Sequence, residues 1–489
     1  MSAQPTIPAD EWTAAGGDSH VYDINTPYLE AGVGFQYVWV MVAGALVWYI
    51  VPGLGLLYAG QGKRTSGATM LWNCLMVSSL ISFQWFFWGY SLVYSHTSSS
   101  VFLGNLDAFA LMNVVALPVG YLPEIVYCFY QGMFAICTVM IMIGGFFERA
   151  RTVPIMLFAF CWCTVVYCPI AYWTWNANGW LASHGALDFA GGGPVHMASG
   201  FSALAIAFWL GKRIDPETKA KKVQRNKPHN STLMFIGTCF IWFGWFGFNG
   251  GSTGNATVRA GYALVNTNLA ASTGMLGYSF VEYFMKGKHF TLPGACEGVV
   301  AGLVGITPAA GFVPVYFAAI IGFLVAGICS ACENLTLWIG IDEGLDVYRL
   351  HGVAGAWGAV FTGLFANNWV SLLDGSTDAQ GWLNHHYVQL GWQLAEILAI
   401  FGWSIVVTSI LYNLINYIPG LKFRVSEEDE LAGLDYSQMG GETIGEISLD
   451  KVLETYEVSF VHGKAGATAP SGAVTPMPEE KSDAPTTEV

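Results

Sequence analysis

The chain has 489 residues, of which 54% are hydrophobic and only 11% charged, with a formal net charge of −14. Soluble domains carry about 25% charged residues, so this deficit, together with repeated apolar runs of about 20 residues, excludes an ordinary soluble fold and predicts a polytopic membrane protein. The acidic balance points to no basic partner and no nucleic acid, and much of it sits in the two ends of the chain.

Residues 1–34 are polar, acidic and free of Lys and Arg, and read as a short tail. No basic stretch precedes an apolar one there, so no cleaved signal peptide is expected. The first span is expected at about 35–58, where Pro52, Gly53 and Gly55 in VPGLGLLYAG allow neighbouring helices to approach. The second, about 68–94, ends in an interfacial aromatic belt, QWFFWGY. Further spans are expected at about 121–147, 152–172, 190–210, 230–250, 258–284, 292–309, 312–334, 350–368 and 388–418, eleven in all. The ten cysteines lie in or beside these runs, so no structural disulfide is expected. Cys161-x-Cys163 reads as small packing residues rather than a metal site. After the last span, KFRVSEEDELAGLDYSQMGGETIGE is charged enough to pack on a membrane face. From about Gly463 the chain turns to Ala, Pro, Thr, Ser and Glu, which cannot form a core, and disorder is expected.

Charge sets the expected orientation. Nineteen of the 20 Lys and Arg residues fall on one side of these spans, counting Arg349 as a loop charge before span ten. Only Arg259 lies opposite. The positive-inside rule then places the N-terminus outside and the C-terminus in the cytoplasm. Spans one to five start outside and spans six to ten start inside, so related halves would be joined by an in-plane two-fold. The expected fold is an all-α polytopic membrane protein of eleven transmembrane helices, a five-plus-five inverted repeat plus one extra helix. Its parts are an extracellular tail (1–34), a membrane domain (35–420) and a cytoplasmic C-terminal region (421–489).

Two histidines carry the chemistry. His196 and His351 are the only histidines inside apolar runs, one in the fifth span of each half, where an inverted repeat would bring them together. An ionisable residue at such depth is costly unless it faces a cavity or a partner, and a pore is favoured over a pair of hydrogen-bonded core histidines. No other ionisable residue is expected mid-span near them, and Asp346 reads as a helix-start charge. Asp188, in LDFAGGGP, reads as a helix cap that also lends negative potential to a cation site. Phe134, Trp175 and Ser252 lie toward the outer ends of their spans. They read either as ordinary aromatic belt or as a small cation site, since ring faces attract cations and a serine oxygen accepts an N–H. Phe248, one turn before Ser252, is placed to plug a channel below it.

The segments VPGLGLLYAG, QGMFA with ERAR after it, WNANGWLASHGALDFAGGGPVH, WFGWFGFNGGSTGNA, AGLVGITPAAGF, LHGVAG and TGLFA together make the chain, over about 35–442, resemble the ammonium transporter family (Amt/Mep/Rh) and within it the fungal ammonium permeases. The resemblance implies a homotrimer in which each subunit surrounds its own pore. It implies Phe134, Trp175 and Ser252 as an outer ammonium site, Phe134 and Phe248 as a stacked gate, Asp188 as a structural carboxylate, and His196 with His351 as a twin-histidine motif. It implies ammonium or ammonia as substrate, methylammonium as an analogue, no cofactor and no metal. Retention of His196 resembles the branch credited with both transport and nitrogen sensing, with a kinase or signalling partner at the C-terminal tail. Three departures stand out. The Trp175–Asp188 interval is one residue longer than in bacterial members, which makes Trp173 an alternative to Trp175. Glu297 in GACEGVVAG occupies a usually small position. GLDYSQMGGE is one residue longer than the family form.

The expected function is ammonium uptake across the plasma membrane, with the ion deprotonated and delivered as ammonia plus a proton. A passive gas channel, a nutrient receptor and a membrane enzyme using the histidines on a metal are the competing readings. Against the enzyme stand the lack of HExxH and of a third ligand nearby in sequence.

Overall fold

In a bilayer every backbone N–H and C=O must pair within the protein, which leaves an apolar chain of this kind only the helix or the closed barrel. The chain takes the helix. The structure, a computed structural model, describes residues 32–225 and 227–444. Residues 1–31 of the expected tail and the expected disorder from about 463 lie outside the described residues.

Among the described residues, seven helical stretches are long and apolar enough to cross a membrane: α1 (Gly34–Gln61), α2 (Arg64–Tyr94), α3 (Glu124–Phe146), α4 (Thr152–Ser183), α5 (Gly192–Leu210), α6 (Ser231–Thr253) and Val388–Tyr417. Between α6 and the last of these lie α7 (Val258–Met285), which is long but carries buried Arg259, Asn266 and Glu282, then the shorter apolar α8 (Leu292–Ile306) and α9 (Val315–Ala331). Next comes α10, whose first turns, Tyr348–Val353, are π-wound before the helix continues as Ala354–Phe365. Val388–Tyr417 is α11. The start of α5, Gly192–Met197, is also π-wound.

Among the described residues, several connections pair with one another in two groups. On the basic face, Arg213 reaches Glu148 at 3.0 Å and Asp342 at 2.8 Å, Lys286 reaches Glu333 at 2.7 Å, and Arg424 reaches Glu430 at 2.7 Å. On the opposite face, Trp180 N–H donates to the Val101 carbonyl at 3.1 Å and Phe189 N–H to the Pro308 carbonyl at 3.1 Å, while Arg259 pairs with Asp374 at 3.3 Å. The segment after α11 docks on the basic face. Asp435 accepts from the Thr69 amide at 2.8 Å, the Thr69 hydroxyl at 2.8 Å and the Ala68 amide at 3.1 Å, at the start of α2. The extra residue in GLDYSQMGGE therefore does not prevent docking.

Three expectations are corrected. Arg349 is not a loop charge: it lies fully buried in the first turns of α10, so it leaves the tally of exposed basic residues. Asp346 does not serve as the helix-start carboxylate. Its side chain pairs with Arg349 at 3.1 Å, while Glu343 takes the Leu345 and Tyr348 amides at 3.0 and 3.1 Å. Nor is the interior otherwise free of ionisable groups, since Glu297, Arg349 and Glu396 are all buried within α8, α10 and α11.

Where α5 and α10 cross, Gly200 lies one turn beyond His196 and Gly352 lies next to His351. A Cβ on Gly200 would come within 2.2 Å of the Gly352 nitrogen and 2.6 Å of its Cα. Only glycine permits that backbone contact, and the contact draws the two histidine-bearing turns together.

Candidate functional site

On the face opposite the basic loops, a cavity of about 280 Å³ is lined by Tyr130, Phe134, Trp175 and Ser252, with Gln131 and Asn255. α3 brings Tyr130 and Phe134, one turn apart on one helix face. α4 carries Trp175 at the end of its Cys168–Trp175 stretch, and Ser252 lies in the final turn of α6. The Trp175 ring meets Phe134 edge-on, centroids 6.0 Å apart at 85°. Trp173, the alternative, packs elsewhere, against Phe102 and Trp403. The Ser252 hydroxyl donates to the Phe248 carbonyl at 2.7 Å, and the Tyr130 hydroxyl donates to the same oxygen at 2.7 Å. Both protons being engaged inward, the oxygen lone pairs are left to accept from a cation beside the rings. This cavity is the one place among the described residues where the aromatic and hydroxyl groups singled out from sequence converge.

Its floor is closed. Phe134 and Phe248 stack with centroids 4.1 Å apart and planes 27° apart. Below them Phe248 faces His196 at 6.0 Å. Trp245 stacks on His196 at 5.2 Å and 11°, held by a 2.9 Å hydrogen bond from its indole N–H to Thr307. His196 then meets His351, Nδ1 to Nδ1 at 3.2 Å. One of these nitrogens must carry the proton and the other accept it. The His196 Nε2 is buried and makes no hydrogen bond within the protein among the described residues. The result is a line of rings, from Trp175 through Phe134 and Phe248 to the two imidazoles, whose only proton-exchanging atoms are the ring nitrogens.

Asp188 stands beside this line without entering it. Its carboxylate accepts the Gly191, Gly192 and Gly193 amides at 2.7, 2.9 and 2.6 Å, fastening the π-wound turn that carries His196. Gly191 has φ +111°, and a Cβ there would also strike Val195 at 2.6 Å, which explains the glycine run after Asp188. The carbonyl of Asp188 accepts from the Trp175 indole at 3.3 Å, so one residue ties the outer ring to the inner histidine turn.

Sequence reasoning missed Glu396. It is fully buried, takes the Gln393 amide at 3.0 Å, and backs onto the same turn: a Cβ on Gly193 would meet Glu396 Oε1 at 2.6 Å and Asp188 Oδ2 at 3.2 Å. A single charged residue, the glutamate, within a 30-residue helix was the available signal. The partner of Glu297 is now identified as Arg349, at 2.7 Å. Among the described residues no group of three or more His, Cys, Asp or Glu side chains is arranged to hold a metal ion.

Comparison with known proteins places this arrangement. The Ammonium Transporter Family profile matches residues 38–444. The chain is 46% identical to ammonium transporter MEP2 of Saccharomyces cerevisiae over 474 residues, covering 96% of this chain and 92% of that protein. It is similar to the crystal structure of Candida albicans Mep2, with 50% identity and a TM-score of 0.78, covering 83% of this chain and 89% of that one. It also resembles a sensor Amt protein of known structure, at 26% identity and a TM-score of 0.73, covering 82% of this chain and 97% of that one. A match spanning the whole helical body, from α1 to the docked tail, makes this chain a member of the ammonium transporter family.

Proposed function

We propose that the chain imports ammonium across the plasma membrane by recruiting NH4+ at the cavity of Phe134, Trp175 and Ser252, removing its proton, and passing ammonia below the Phe134–Phe248 stack while His196 and His351 carry the proton. The observation that carries this reading is the 3.2 Å contact between the two buried imidazoles directly beneath a closed aromatic stack. A charge at the centre of a bilayer costs at least about 2.5–3.5 kcal/mol. Splitting the ion avoids that cost for the nitrogen species, and a pair of imidazoles, each able to donate at one ring nitrogen and accept at the other, offers the proton a separate relay. The chemistry is translocation, with a reversible proton transfer as its one bond-changing step, so the chain acts as a transporter and not as an enzyme.

The alternation of the two groups of connections supports reading all of α1–α11 as spans, with the N-terminus outside and the C-terminal region in the cytoplasm. The domain division follows: membrane body 35–420, cytoplasmic region 421–489. Protease added to intact cells should then spare everything after Phe423. Assembly as a homotrimer, methylammonium as a second substrate, and a kinase or signalling partner at the tail belong to the same proposal. The likeness to a sensor Amt protein favours a second role in ammonium sensing.

Growth on limiting ammonium of a strain lacking its own transporters, with current recorded in the same cells, tests the main reading. Rescue with ammonium-dependent inward current supports it. Rescue without current assigns a passive gas channel, and absence of rescue by well-inserted protein overturns uptake.

A further inference from the structure

The His351 turn is held differently from the His196 turn. Asp188 grips the His196 turn directly by three backbone amides. The π-wound turn Tyr348–Val353 instead carries Arg349, two residues before His351 and fully buried. Its guanidinium reaches four elements at once. It donates to Glu297 Oε2 of α8 at 2.7 Å, to the Cys329 carbonyl of α9 at 2.9 Å, to the Tyr278 hydroxyl of α7 at 3.2 Å and to Asp346 at 3.3 Å. Tyr278 in turn donates to the same Glu297 oxygen at 2.5 Å. Glu297 thus closes a rigid fork around the base of the histidine turn.

From this geometry we infer that Glu297 is a positioning residue for proton relay, acting through Arg349 to hold His351 in register with His196; the inference rests on the twin-histidine reading above. π-wound turns interrupt regular helix pairing and occur often at functional sites, so the direction of a side chain on one must be fixed from outside it. The 3.2 Å contact leaves little margin, since hydrogen bonds fail beyond about 3.5 Å. Stability alone is a poor reason for the pair, because buried ion pairs roughly break even against apolar replacements. What the pair supplies is a defined angle. Glu297 touches neither the outer cavity nor the aromatic stack, so its effect falls on relay and not on capture.

The test uses full-length protein in vesicles, with current normalised to inserted protein. The groups around the relay are His196 and His351 themselves, with Arg349, Glu297, Tyr278 and Asp346 at its base, Cys329 against Arg349, and Arg225, Lys286 and Glu333 in the cavity beside Glu297 and Asp346. Glu297→Gln keeps shape and removes charge, and Glu297→Asp keeps charge. Glu297→Gln should lower the maximal ammonium-driven current on the order of tenfold or more, the scale of a misplacement near 1 Å, with KM unchanged and the pH profile of the current displaced. Glu297→Asp should restore the pH profile. Inserted Glu297→Gln protein with wild-type maximal current and pH profile, or with a change in KM alone, overturns the inference. So does failure of Glu297→Gln to insert, which would assign the pair to folding. Wild-type protein without current would instead sink the proposed function, which keeps the two failures distinct.

Discussion

His196 and His351 meet at 3.2 Å because the backbones beside them, at Gly200 and Gly352, approach closer than any other residue type would allow. The catalytic-looking contact and the small-residue contact are one device: the second sets the distance of the first. Replacing either imidazole by a methyl group would remove the proposed relay but leave a wider apolar passage. His196→Ala or His351→Ala should therefore abolish ammonium-driven current while sparing neutral ammonia flux, measured in the same vesicles. His196→Glu should retain current with an altered pH dependence. Undiminished current in the double alanine variant would make the pair packing residues.

Gly200→Ala tests the device at one remove. The added methyl meets the Gly352 backbone, which cannot swing aside as a side chain could. Overpacking of this kind costs about 1–3 kcal/mol, and any separation of α5 from α10 also parts the rings. Purified protein should melt at lower temperature, and current per inserted protein should fall. Unchanged values for both would mean the crossing relaxes freely.

In the proposed mechanism capture is separable from relay. Trp175→Leu removes the ring that meets Phe134 edge-on. A cation–π contact contributes on the order of 1 kcal/mol, so KM for ammonium should rise about fivefold with maximal rate preserved. Trp173→Leu, in the packing cluster with Phe102 and Trp403, should leave KM alone. The opposite pattern would move the site.

Glu343 provides a pH readout on the basic face. Burial, reinforced by Asp346, pushes its carboxyl up to about 7, with the Leu345 and Tyr348 amides and Arg149 opposing. Its folded value lies above that of an exposed glutamate, so folding favours the protonated form. That contribution is complete below the ordinary glutamate value and is lost as pH rises through about 7. Melting temperature should thus fall between pH 5 and 8 in the wild type, and Glu343→Gln should flatten that slope. The same slope in both proteins would exclude the group.

The docked tail makes a fifth prediction. Asp435→Ala leaves the Thr69 and Ala68 donors without their acceptor, a loss of about 1–3 kcal/mol for buried groups. Truncation after Phe423 should reduce transport, while removal of 463–489 should leave it intact. Equal activity of the two truncations would show that the docked segment does not support the basic face.

The membrane class, most span positions and the two histidines were legible because each rests on a contrast within one stretch: charge against apolar run. What was not legible depends on contacts between distant stretches. Arg349 follows a polar loop and so reads as a loop charge, although three other helices enclose it. Glu396 is one carboxyl in a long apolar helix, and nothing along that helix reveals Gly193 across the interface. Glu297 could be flagged as unusual but not paired, since its partner lies 52 positions away. The choice between Trp173 and Trp175 needed the direction of each ring, which spacing alone does not supply.

The Phe134–Phe248 stack bears on the cell's electrical economy. Rings 4.1 Å apart are in contact, so no unbroken file of solvent connects the outer cavity to the imidazoles. On the proposed route each passage would wait for a ring to swing and return, as at a turnstile. Potassium, nearly the size of ammonium but unable to surrender a proton, gains nothing from such a swing. On that reading, many copies of this protein would let a cell draw current for ammonium without opening a standing leak for potassium.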